Sequence, residues 1–113
     1  MHDEMLEKAL NFIRDKAGDY AAAKANRIYL YEFRKSKKAI LMQVAEKGGF
    51  KTASAQEREA YASPEYVELL EGLRVAVEQE EYLRYQLKAA EMKIDVWRSK
   101  EATQRSERSR YGA

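Results

Sequence analysis

From Leu69 to Trp97 the chain carries a single apolar line: Leu69, Leu73, Ala76, Glu80, Leu83, Leu87, Ala90, Ile94 and Trp97. Its steps alternate four and three, and only Glu80 is not apolar. A heptad pattern held this long puts one stripe on an α-helix and requires a second helix against it. The start of that helix is equally well marked. Ser63 is a good N-cap, Pro64 occupies the first helical position where its missing N–H costs nothing, and Glu65 suits the first turn. A helix over 64–108 is predicted, with a short tail over 109–113. At 1.5 Å per residue it would be a rod of roughly 65–70 Å that cannot stand alone.

The simplest partner is a first helix over 3–46. Asp3, Glu4 and Glu7 suit its positive end. Leu6, Leu10, Ile13, Ala17 and Tyr20 make an apolar stripe. Gly18 and the Ala21–Ala23 patch allow a kink or a close helix contact. The stripe then shifts register to Leu30, Phe33, Ile40 and Val44, with Asn26 and Lys37 as imperfections on it. Gly48-Gly49 ends the helix. In the connection, 47–63, Ser54-Ala-Gln-Glu57 has the spacing of a capping box, so a short helix from Ala55 to about Ala62 is expected.

Charge supports folding one helix back on the other. Lys24 to Lys38 has six basic residues and one acid, whereas Glu57 to Glu81 has eight acids and two basic residues. A turn near Gly48 sets these blocks side by side. The expected fold is therefore all-α, a long antiparallel helical hairpin, coiled-coil-like, forming a single domain over 1–113. Tyr66, Leu70 and Val77, with Ile28 and Tyr29, flank the seam and predict a homo-oligomer. Leu69, Leu73, Leu83, Leu87, Ile94 and Trp97 are the expected helix-packing residues. Glu80 on the seam is expected to act as a register device, met by Asn26 or a lysine.

Several chemistries are excluded or disfavoured. The chain has no cysteine, hence no thiolate metal site, disulfide or thiol nucleophile. No apolar run approaches the roughly 20 residues of a membrane span. The acidic opening Met1-His2-Asp3-Glu4 differs from the basic start of a signal peptide, so a cytoplasmic location is expected. The single histidine, His2, sits at a terminus where neither a catalytic nor a metal role is expected. Carboxylate pairs such as Glu80-Glu81 and Glu57-Glu59 recur along helix faces and do not converge. Gly48-Gly49 lacks the Lys-Ser/Thr of a phosphate loop. No enzyme activity, cofactor or metal is expected.

What remains is basic residues interleaved with aromatics. Arg27, Arg34, Lys35, Lys37 and Lys38 share twelve residues with Tyr29, Tyr31 and Phe33. Cations neutralise phosphates and tyrosines stack on unpaired bases. With Lys24, Lys47 and Lys51, these make a candidate nucleic-acid surface. A secondary basic tail holds Arg98, Lys100, Arg105, Arg108 and Arg110 against two acids. An oligomer would multiply both patches along one surface. The acidic block across the hairpin would oppose the first of them.

Tyr29-Leu-Tyr31, the basic, apolar stretch that runs on to Ala45-Glu46, a polar connection, Glu81-Tyr-Leu-Arg-Tyr-Gln86 and Ile94-Asp-Val-Trp-Arg98 together resemble the layout of the UvsY-type phage recombination mediators. The resemblance covers most of the chain, and the Trp-Arg pair is its sharpest element. The tail after Trp97 is longer and more basic than that family's pattern. The resemblance implies a ring-like oligomer that binds single-stranded DNA and helps load a recombinase or works beside a single-strand-binding protein. It implies DNA contacts from the matching lysines, Lys35, Lys37, Lys38, Lys47 and Lys51.

The expectation is an oligomeric single-stranded DNA-binding accessory protein for recombination or replication, with no membrane partner. Two alternatives remain. One is an adaptor or inhibitor presenting the acidic face around Glu65 to Glu81. The other is a purely structural coiled-coil component.

Overall fold

A computed structural model describes residues 3–111; His2, and the end of the tail at 112–113, lie outside the described residues. The chain is an all-α helical hairpin, with no strand among the described residues. Its helices are α1 (Glu4–Lys47), α2 (Ala53–Ala62) and α3 (Pro64–Arg110). They group into two compact units: residues 22–80, and residues 1–21 with 81–113.

Each helix end has a local cause. Asp3 caps α1, its Oδ1 accepting from the backbone N–H of Met5 at 3.0 Å and of Leu6 at 3.2 Å. At the other end Phe50 N–H donates to Ala45 O and Gly49 N–H to Glu46 O, both at 3.1 Å. This is a Schellman closure, and it needs the left-handed Gly49, φ 106°. The cap of α2 is Thr52 and not Ser54: Thr52 Oγ1 accepts from Ala55 N–H at 3.1 Å. The helix therefore begins two residues earlier than the capping-box spacing suggests. Replacing Thr52 with Ala should cost about 1 kcal/mol, readable as a lower thermal midpoint by circular dichroism; an unchanged midpoint would show that the cap contributes nothing. Ser63 ends α2 and starts α3, accepting on its Oγ from Glu65 N–H, with Pro64 first in the helix as expected.

On α3 the expected line is the packed one. Leu83, Ala76, Glu80 and Ala90 are buried, and Leu69, Leu73, Leu87, Ile94 and Trp97 are half-buried. Tyr66, expected on the flank, is buried as well.

On α1 the expected stripe is corrected. Leu10, Ile40 and Val44 are 45%, 49% and 61% exposed. Asn26 is exposed too. The shielded positions instead follow one line in steps of three and four: Leu6, Ala9, Ile13, Lys16 and Tyr20 before residue 22, then Ala23, Arg27, Leu30, Arg34, Lys37, Leu41 and Ala45 in the unit 22–80. The register does not shift after Gly18, which lies within α1 on an exposed face with open space around it. Four positions on the true line carry Lys or Arg; their aliphatic stems cover the seam, and the Arg27 guanidinium turns inward to the buried Glu80.

In the unit 22–80 the three helices meet at Leu41, Ala60 and Tyr66, with Met42 packed beside them. Ala60 is wholly buried, so α2 lies close against its neighbours. The Tyr61 ring meets the Tyr66 ring edge-on at 5.1 Å. In the unit formed by 1–21 and 81–113, Ala9 and Ala90 line one groove with Phe12, Gln86 and Lys93, an approach that small side chains permit.

Candidate nucleic-acid interface

The hairpin divides the basic stretch of α1 into two sets. The first set belongs to the fold. Arg27 grips the buried Glu80 with two hydrogen bonds, Nε to Oε2 at 2.6 Å and Nη2 to Oε1 at 3.0 Å. The partner of Glu80 is thus Arg27, correcting the expectation of Asn26 or a lysine. Arginine suits a bidentate match to a carboxylate, which an amide or a lysine cannot make. Lys37 pairs with Glu65 at 2.9 Å and Lys38 with Glu57 at 3.5 Å. Lys38 also lies 5.0 Å from the centre of the Tyr61 ring. Its hydrogen bond with Tyr61 holds its pKa above the ordinary lysine value, with Glu57 adding to the effect.

The second set faces outward. Lys24, Ile28, Tyr31 and Lys35 recur in steps of four, three and four, so they share one flank of α1, and all four are exposed. Arg34 joins them: its guanidinium carbon lies 4.0 Å from the centre of the Tyr31 ring and its Nε donates to Tyr31 O at 3.0 Å. Lys35 makes only a long, exposed pair with Glu32, 3.8 Å, of little strength. Tyr29 lies on the other flank, 62% exposed and stacked on Phe33 at 5.8 Å. Lys47 and Lys51 are exposed at the end of α1 and in the connection.

The acidic block is likewise divided. Glu57, Glu65 and Glu80 meet cations of α1. Glu71 and Glu78 bracket Arg74 on their own helix, and the hydrogen bonds from Arg74 hold the Glu71 carboxyl below its ordinary pKa. The basic tail residues Arg98, Lys100, Arg105, Arg108 and Arg110 are exposed, and α3 continues two residues past the expected end at 108. Arg98 has an exposed pair with Asp95 at 3.7 Å.

Among the described residues no group of His, Cys, Asp or Glu is arranged to hold a metal ion, and no helix is long and apolar enough to cross a membrane. Glu80, the one buried carboxylate side chain among the described residues, serves the Arg27 pair.

A further set of aromatic and basic residues, outside the predicted nucleic-acid surface, lies on α3 within and just after the segment 81–86. Tyr82 and Tyr85 are 58% and 59% exposed. The Arg84 guanidinium carbon stands 4.5 Å from the centre of the Tyr85 ring and Lys88 Nζ stands 5.8 Å from it. The signal was present as two tyrosines off the main seam. Comparison with known protein families, characterised proteins and solved structures finds no significant match to this chain.

Proposed function

We propose that this chain is a non-enzymatic, cytoplasmic accessory protein that binds single-stranded DNA and assists a recombination or replication protein, as the mediators it resembles do. The observation that supports this reading is the open flank of α1, where Lys24 and Lys35 share a face with the exposed Tyr31 and Arg34 lies against its ring. Lys24 and Lys35 are eleven residues apart, about 16 Å along the helix. They would capture the backbone while Tyr31 stacks on a base, worth roughly 1–3 kcal/mol. Arg34 keeps the Tyr31 ring in place.

The acidic-face alternative needs an open acidic surface. The ion pairs of Glu57, Glu65 and Glu80 with α1, and those of Glu71 and Glu78 with Arg74, weigh against it.

The division of the basic stretch makes a specific test. The triple variant K24A/R34A/K35A should bind a labelled oligothymidine about ten-fold or more weakly at low salt. The logarithmic salt slope should fall by about 2, as expected for three lost phosphate contacts on a single strand. The variant K37A/K38A should keep the wild-type slope. Wild-type affinity in the triple variant would remove this flank from the function.

A further inference from the structure

In the unit formed by 1–21 and 81–113, α3 bears two apolar stripes. One is the hairpin seam. The other runs through Tyr82, Tyr85, Ala89, Met92 and Val96, again in steps of three and four, and every member is exposed. Met92 and Val96 are 63% and 51% exposed. A helix that is apolar on a second face is built to be covered on that face too. The stripe continues to Ser99 and spans about 27 Å of helix.

We propose that this outer stripe pairs with the same stripe of a second copy of the chain, antiparallel, about a two-fold axis near Ala89–Met92. Two observations select this occupant and this direction. The first is side-chain size. Antiparallel pairing sets Tyr85 against the partner copy's valine at 96 and Ala89 against its methionine at 92, so every layer joins a large residue to a smaller one. Parallel pairing stacks alanine on alanine between layers of tyrosine and methionine and leaves a gap. The second is charge. The positions flanking the stripe include Lys88 and Asp95 on one side and Gln86 and Lys93 on the other. Antiparallel pairing brings Lys88 opposite the partner's aspartate at 95, twice by symmetry, and sets glutamine against lysine on the far side. Parallel pairing sets Lys88 against the partner's lysine at 93, twice.

Both side chains are available. Lys88 is exposed and holds only a 5.8 Å approach to Tyr85, and Asp95 has the long, exposed pair with Arg98. The helix is already formed by the hairpin, so pairing orders little new backbone. The symmetric contact is self-limiting along this face. The proposal stands apart from the nucleic-acid reading and survives if that reading fails.

The test is sedimentation equilibrium on the full chain. Wild-type protein should self-associate. K88E faces glutamate against aspartate twice and should dissociate about ten-fold more readily; D95K should do the same. The double exchange K88E/D95K should restore wild-type association. Y85E/M92E should abolish association while circular dichroism stays helical. Parallel pairing predicts the opposite for K88E, a tighter complex, because the new glutamate would meet the partner's lysine at 93. A tighter K88E complex, single variants equal to wild type, or a wild-type monomer at roughly 100 µM each overturns the proposal.

Discussion

Replacing Glu80 with Ala destabilises the hairpin by about 3 kcal/mol. The Glu80 side chain is 8% exposed and bound twice by Arg27, so its removal takes both of these charge-assisted bonds from a guanidinium shielded in the seam. The Arg27 side chain keeps 32% of its surface in water, which holds the loss to the lower end of what breaking a buried pair costs. At fixed protein concentration the thermal midpoint should fall by at least about 10 °C in a chain of this size. The paired change R27L/E80L should leave stability equal or higher, because well-packed apolar side chains avoid the desolvation of both charges. What the pair adds is direction and register: Glu80 is the one charged position on the α3 line and only one turn of α1 meets it. R27L/E80L should therefore be stable yet less uniform, with broader amide signals in NMR spectra. An unchanged midpoint in E80A would refute the structural role of the pair.

The second large effect is Tyr66→Ala, expected to cost about 3–4 kcal/mol. Tyr66 is 7% exposed and closes the Leu41–Ala60 contact where α1, α2 and α3 converge. Truncation opens a cavity beneath α2 and removes the edge-on partner of Tyr61. A ten-residue helix has little stability of its own, so α2 should detach first, seen as faster amide exchange over Ala53–Ala62. Tyr66→Phe keeps the ring and should lose less than about 1 kcal/mol. Equal losses in the two variants would contradict packing as the cause.

The two long helices differ in how openly they declare themselves. The α3 line is visible because eight of its nine positions are apolar. The α1 line is hidden because Lys16, Arg27, Arg34 and Lys37 stand on it, while Leu10, Ile40 and Val44 stand off it. A hydrophobicity pattern follows the apolar residues and so drifts one position from the true line. The clue lay in the partner: an acid on one seam calls for a base on the other, and Arg27, not Asn26, is the residue whose geometry fits. At α2 two hydroxyl residues compete for the cap, and Ser54 carried the more familiar spacing while Thr52 had the right backbone. The basic stretch was visible as composition, but its division was not. Arg27 and Glu80 are 53 residues apart in sequence, and only the fold decides which cations are consumed by such pairs and which stay open.

The most direct test of the account is the fluorescence anisotropy of a labelled single-stranded oligonucleotide titrated with the wild-type chain at low and moderate salt, with a duplex of equal length as control. The account predicts binding that prefers the single strand and weakens as salt rises, since exposed lysines release counterions and tyrosines need unpaired bases. No binding at low salt, or equal binding to the duplex, would contradict it.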